Sequence, residues 1–348
     1  MAHMTRSAVV RLAAAIAVLP VTLGAAPPPS PEPSATGDLP EGSELAFHLE
    51  DPSIAESSGL AASQRHDGVY WTHNDSGDQY GPDLYAIGAD GRTLATITLS
   101  GSGVESRDWE AVAVGTDDAG EPAIYVGDIG DNFQGGWPNV RVYRLPEPAR
   151  LTDQTVEATT FTFTYADGGR DAEGMMVDPR DGRLYVISKE IAGGVYAAPE
   201  RLSAEGTNEL TRVGSAPLYA TDAAFAPDGS HYAVRTYWGA TLYDASEGVP
   251  GDIVDRVSLP ELDQGESLSY TADGTALMAG TEGARSPVWR VPLPAEGGTG
   301  PEAEETVSAT PPAESAEDEE GGASAFILGG IGVAAVVIGG IVLLARRG

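Results

Sequence analysis

Five times along the chain a polar side chain opens a short run of small and apolar residues: Ser58-Gly-Leu-Ala-Ala62, Glu110-Ala-Val-Ala-Val114, Glu173-Gly-Met-Met-Val177, Asp222-Ala-Ala-Phe-Ala226 and Glu266-Ser-Leu-Ser-Tyr270. Four of these openers are carboxylates, and Glu56, Asp108 and Asp171 stand two residues before Ser58, Glu110 and Glu173. Carboxylates gathered at one place repel, at roughly 4 kcal/mol for a pair 4 Å apart in an effective dielectric of 20. Either some hold their protons with a raised pKa or a cation neutralises them. Oxygen donors without His or Cys suit Ca²⁺ better than Zn²⁺ or copper. The alternative is that each acid accepts hydrogen bonds from neighbouring backbone and keeps the repeats in register.

Such a cluster needs repeats that bring the openers together. After each opener run comes a turn, Asp67-Gly68, Asp117-Asp-Ala-Gly120, Asp181-Gly182, Asp228-Gly229 or Asp273-Gly274. Asp-Gly between β-rich runs marks a hairpin, since Gly readily supplies positive φ. A second strand follows, such as 184–188 or 232–235, then a third carrying Tyr85, Tyr143, Tyr196, Tyr243 or Trp289. Four repeats add a fourth strand; the fifth stops at Pro294 without one. Residues 44–50, alternating Leu45, Phe47 and Leu49, can supply it and close the ring. The expected fold is therefore all-β, a β-propeller of five four-stranded blades over 44–294, with room for a sixth in the longer second repeat and none for seven.

In a propeller the first strands line the central channel, so the openers ring its mouth and both tiers of acids can face it. Second strands return to that mouth, and the loops after them are polar: His73-Asn-Asp-Ser-Gly-Asp78, Gly127-Asp-Ile-Gly-Asp-Asn132, Ser188-Lys-Glu190, Arg235-Thr-Tyr-Trp238 and Thr281-Glu-Gly283. Lys189, the single lysine, and Arg235 are read as occupying equivalent loops where they can grip a phosphate or carboxylate, or form salt bridges with the acids around them. His73 is a candidate general base, or a hydrogen-bonding loop residue. No G-x-S-x-G signature or organic-cofactor signature accompanies them.

The ends predict an exported, anchored protein. Arg6 and Arg11, the run Leu12 to Leu23 and the small residues up to Ala26 read as a signal peptide over 1–26. Residues 27–43 form a Pro/Ser-rich linker, and 295–324 an acidic stalk with no basic residue. Residues 325–345 then form a transmembrane helix, and Arg346 and Arg347 keep the tail 346–348 in the cytoplasm. The propeller is thereby placed outside the cell membrane. No LPxTG pentapeptide precedes the apolar run. A net charge of −32 argues against nucleic acid as a partner, and the absence of cysteine leaves stability to the core and to any bound metal.

Together the segments Ser57-Ser-Gly-Leu-Ala61, Trp71-Thr-His-Asn-Asp-Ser-Gly77, Asp108-Trp-Glu110, Tyr125-Val-Gly-Asp-Ile-Gly-Asp-Asn132, Asp171-Ala-Glu-Gly174 and Gln264-Gly-Glu266 resemble the phytase-like propeller family, in its exported bacterial form. The resemblance spans residues 56 to 292. It implies an acidic, Ca²⁺-dependent propeller with phosphoester hydrolysis, and offers Glu110, Asp128, Asp131, Glu173 and Glu266 as ligands. Two functions follow. One is a surface-displayed binding or scaffolding module for an extracellular ligand or protein, which needs no nucleophile and agrees with the tether. The other is a Ca²⁺-dependent phosphoesterase with Lys189 and Arg235 stabilising charge.

Overall fold

The computed structural model describes residues 39–75, 79–133, 135–262 and 264–294. The expected signal peptide, stalk, transmembrane helix and cytoplasmic tail lie outside the described residues, as does most of the first linker. Among the described residues the regular structure is all β, and no helix is long and apolar enough to cross a membrane.

Strand β1 (Glu44–His48) precedes five meanders. The first is β2 (Ser57–Ala62), β3 (Tyr70–Asn74), β4 (Asp83–Ile87) and β5 (Thr93–Ser100). The second is β6 (Trp109–Thr116), β7 (Pro122–Asp128), β8 (Val140–Pro146) and, after a short strand β9 (Gln154–Glu157), β10 (Thr159–Tyr165). The third is β11 (Ala172–Val177), β12 (Leu184–Ser188), β13 (Gly194–Ala197) and β14 (Thr207–Ser215). The fourth is β15 (Ala220–Phe225), β16 (His231–Thr236), β17 (Gly239–Asp244) and β18 (Asp252–Val257). The fifth has β19 (Leu268–Tyr270), β20 (Ala276–Ala279) and β21 (Pro287–Pro292), and takes its fourth strand from β1, which pairs antiparallel with β21.

The turns between first and second strands work as their residues dictate. Gly68, Gly182, Gly229 and Gly274 have φ of 70°, 75°, 73° and 71°, a region that a side chain makes costly. Each first strand packs on the next in cyclic order, β2 on β6, β6 on β11, β11 on β15, β15 on β19 and β19 on β2. A separate apolar cluster fills each wedge between successive meanders. The last, with Phe47, Leu60, Ile87, Met278 and Val288, joins the fifth meander to the first. A closed ring of radial sheets is the layout of a β-propeller.

Two pairings have no counterpart in the sequence reading. Strand β9 adds in parallel to the outer edge of β5, and β10 pairs in parallel with β14, so the second and third meanders form one sheet. Both cover outer edges that would otherwise expose unpaired backbone.

Candidate functional site

The mouth is built by an irregularity repeated in the first strands. Pairing with the second strand shifts register between Ser57 and Leu60, Trp109 and Ala111, Ala172 and Gly174, and Ala220 and Asp222. A bulge re-aims the residue it leaves out of the ladder. Those residues are Ser58 with Gly59, Glu110, Glu173 and Thr221, and Glu266 lies two residues ahead of β19.

Asp222 therefore leaves the ring to which sequence alignment assigned it. It sits one position beyond the bulge, opposite Arg235, while Thr221 is the residue left out of the ladder, fully buried and donating its hydroxyl to the Gly265 carbonyl at 3.0 Å. Asp222 is fully buried and accepts the N–H groups of Ala223 (2.7 Å) and Leu268 (2.6 Å), the latter on the next meander. Burial pushes its pKa well up against those bonds. It is an acid that ties neighbouring sheets together.

A second tier comes from the loops after the second strands. Asp75, Gly130, Lys189 and Glu282 each donate their backbone N–H to the carbonyl of the residue two before the ring position, Glu56, Asp108, Asp171 and Gln264. Tyr237, next after β16, completes this tier. Arg235 is thus not the counterpart of Lys189. It lies two residues back inside β16, only 1% exposed, and donates to the Ser267 carbonyl at 2.6 Å. Burial lowers its pKa to about 10 even with Glu266 and Asp222 nearby.

His73 is wholly buried at the penultimate position of β3, its Nδ1 2.9 Å from the Asn74 carbonyl. Burial lowers its pKa to about 4 and keeps the ring neutral. Neither His73 nor Arg235 is open to a ligand, so the three candidate catalytic side chains do not converge.

On one side of the mouth, oxygens of Asp75, Asp108 and Glu110 lie within 4.8 Å of one another. The Glu110 carboxylate accepts the Ser58 hydroxyl (3.0 Å), and Asp108 accepts the Asn132 side-chain amide (3.2 Å). Burial, then Glu173 and Asp75, raise the Glu110 pKa well above the carboxylate range. Burial chiefly, with Asp171, Asp128 and Asp131, brings Asp108 up to about 6. Gly130 makes this approach feasible, because a Cβ there would fall 2.7 Å from Asp108 Cγ and from Glu110 Oε1.

On the other side, Lys189 Nζ is ion-paired with Glu173 Oε1 and lies 5.3 Å from the centroid of the Tyr237 ring. The Tyr237 hydroxyl donates to Glu266 at 3.2 Å. Burial works against the Lys189 charge, yet Glu173 and Glu266 hold its pKa above the ordinary lysine value. Glu173 Oε2 and Glu266 Oε2 are buried with no hydrogen-bond partner. Glu282 accepts from Gln264 at 2.8 Å and rises to about 8 through burial and then Glu266 and Asp75.

The remaining predicted ligands are engaged elsewhere. Asp128 is fully buried and accepts Arg107 Nε (2.9 Å), the Tyr143 hydroxyl (2.9 Å) and the Asp108 N–H (3.0 Å). Asp131 caps its own loop through the N–H groups of Phe133 (2.9 Å) and Trp137 (2.8 Å). Asp171 accepts the Asp131 N–H at 2.8 Å, with burial raising its pKa. Glu56 is part-exposed at the rim and is raised by burial alone. Sequence reasoning missed Asp75, Glu282, Tyr237 and Gly130 as one tier; aligning the five loops from the last residue of each second strand is the signal that finds most of it.

No family model matches the sequence, and no curated protein matches it. Among solved structures the chain is similar to "Structure of U3-55K", at 12% identity and TM-score 0.39 over 74% of this chain and 100% of that one. It is similar also to "Crystal structure of RRP9 WD40 repeats", at 12% identity and TM-score 0.39 over 76% and 100%. At that TM-score neither likeness carries weight for fold or function, and the propeller stands on the cyclic order of its own strands.

Proposed function

We propose that the chain is a five-bladed propeller that acts as a binding module tethered outside the cell membrane, and that its mouth takes one divalent cation, Ca²⁺, at Asp75, Asp108 and Glu110. The observation that carries the reading is the meeting of three carboxylate oxygens within 4.8 Å beside Gly130. Oxygens bound to one Ca²⁺ at 2.3–2.6 Å lie at most about 5 Å apart. Asp108 and Glu110 accept from the neutral donors Asn132 and Ser58, so those bonds bring no positive charge to them, and a bound ion would take the place of the protons that burial favours. Export and tethering rest on the sequence of the two ends.

A thermal melt of the purified protein tests the cation. After chelation, restoring Ca²⁺ at fixed ionic strength raises the midpoint, restoring Mg²⁺ raises it less, and Glu110→Gln abolishes the rise. An unchanged midpoint overturns the reading and leaves the acids as hydrogen-bonded structure. Hydrolysis of phosphate esters at the same ion is the second reading, favoured by the ammonium of Lys189 next to the mouth. Ca²⁺-dependent turnover lost in Glu110→Gln supports it; no turnover across a broad ester panel removes it.

A further inference from the structure

Beside the Lys189 half of the mouth the loop face carries large apolar side chains in the open. Ile191 is 75% exposed, Trp238 66%, Leu218 47% and Tyr219 37%. They come from three different connections: Ile191 follows β12, Leu218 and Tyr219 join β14 to β15, and Trp238 lies between β16 and β17. Backbone bonds knit the first two connections together, Tyr219 N–H to the Glu190 carbonyl at 3.0 Å and Ala216 N–H to the Gly193 carbonyl at 2.9 Å. The third joins through its rings, with Trp238 6.4 Å from Tyr219 and 6.2 Å from Tyr237 between centroids. Tyr219 holds a φ of 52°, uncommon for a residue with a side chain.

Clustered exposed apolar groups at a polar rim mark interaction sites rather than ordinary surface. Aromatic anchors surrounded by charge are the side chains that dominate protein interfaces. The charge around this rim selects the partner. Glu173, Glu266 and Glu282 lie inward along the mouth, and Glu190 lies between Lys189 and Ile191; the nearby bases Lys189 and Arg170 are already ion-paired, with Glu173 and with Glu190 and Asp167. At the inner end of the aromatic row an ammonium, that of Lys189, already rests over Tyr237. The ring faces farther out offer the same attraction to a cation brought from outside.

We propose that the rim formed by Ile191, Leu218, Tyr219 and Trp238 is the docking surface for a protein segment that presents apolar side chains interleaved with arginine. The proposal rests on the reading of the chain as a binding module but not on the cation, since the rim lies on the opposite side of the mouth from Asp75, Asp108 and Glu110. The apolar side chains seat on Trp238 and Ile191, and the guanidinium groups face the acids and rings.

The test uses the full chain in detergent with Ca²⁺ held constant, and a labelled (Arg-Leu)₄ peptide as probe, with (Glu-Leu)₄, (Arg-Ser)₄ and zwitterionic lipid vesicles as comparison arms. The expected result is saturable binding of (Arg-Leu)₄ that weakens about tenfold or more in Trp238→Ala and in Ile191→Ser. Ile253→Ser, on the exposed outer strand β18, leaves it unchanged. Both rim variants alter exposed side chains, and an unchanged melting midpoint confirms that they fold. Equal binding of (Arg-Leu)₄ and (Arg-Ser)₄, equal binding by Trp238→Ala, or no binding at millimolar peptide overturns the proposal, as does a preference for the vesicles. A Ca²⁺ shift without peptide binding sinks this inference alone, whereas peptide binding without a Ca²⁺ shift sinks the cation and leaves the docking surface standing.

Discussion

Glu110 on one side of the mouth and Glu173 on the other are set by the same bulge in the first strands of successive blades, yet the two sides solve the repulsion between carboxylates in opposite ways. Around Glu173 and Glu266 the chain provides its own cation, Lys189, whose ammonium lies over the Tyr237 ring. Around Asp108 and Glu110 the hydrogen-bond donors are neutral, and the second tier has glycine where the next blade has lysine. A propeller repeats geometry but not chemistry, so charge neutrality is settled blade by blade. One half carries its own cation, and the other half is where the proposed ion would come from solution.

That contrast can be broken from the self-contained side first. Arg235→Met removes a fully buried guanidinium, taking one donor from the Ser267 carbonyl and the nearby positive charge from Glu266 and Asp222, which is expected to cost about 3–5 kcal/mol in a denaturant melt. The loss should be the same with Ca²⁺ or chelator, because Arg235 lies below the mouth; rescue by Ca²⁺ would join the two halves into one site. Lys189→Met comes next, at roughly 2 kcal/mol, discounted for a side chain part-open to water. Here Ca²⁺ is expected to recover much of the loss, since Glu173 and Glu266 then resemble the other half. Titration calorimetry should count one Ca²⁺ in the parent and two in the variant, and a single ion in both would erase the distinction.

On the Asp108 side, Gly130→Ala inserts a methyl group between Asp108 and Glu110. Ca²⁺ affinity is expected to fall about tenfold, or 1.4 kcal/mol, with little change in the chelated melt. The most gradual effect is in pH. Asp108 and Glu282 have folded pKa values of about 6 and about 8, both above those of the unfolded chain. Between pH 5 and 8 the folded state therefore binds more protons, and stability without metal falls as pH rises. The slope is at most about 1.4 kcal/mol per pH unit for each proton. With Ca²⁺ present the decline should flatten, because the ion replaces the protons. A chelated midpoint that rises from pH 6 to 8 would falsify the crowding.

Strand order was legible in the sequence because local signals specify it. Asp-Gly turns and alternating apolar residues define the hairpins, and the unpartnered run around Phe47 has a gap of the right size in the fifth repeat to fill. The parallel pairings of β9 with β5 and β10 with β14 join segments with no turn between them, so nothing local announces them. The ring of acids was half legible. Glu110, Glu173 and Glu266 stand where the repeat places them, but in β15 the same bulge leaves out Thr221, one residue before the acid, and Asp222 goes between sheets. Asp128 was unreadable for another reason: its partners Arg107 and Tyr143 come from the loop before β6 and from β8, and only tertiary contact shows that its oxygens are already occupied.

The pairing of Glu44 with Arg290 and of Leu45 with Trp289 sets the order of events at the birth of the domain. The first strand to be made is the last to find a neighbour, since β21 is the last strand of the domain to emerge. Until then the nascent propeller is an open arc, with β21 missing and the wedge of Phe47, Leu60 and Val288 unfilled. Contacts between segments so distant in sequence form slowly. The fold thus carries its own delay: the ring locks only once the whole domain has left the ribosome.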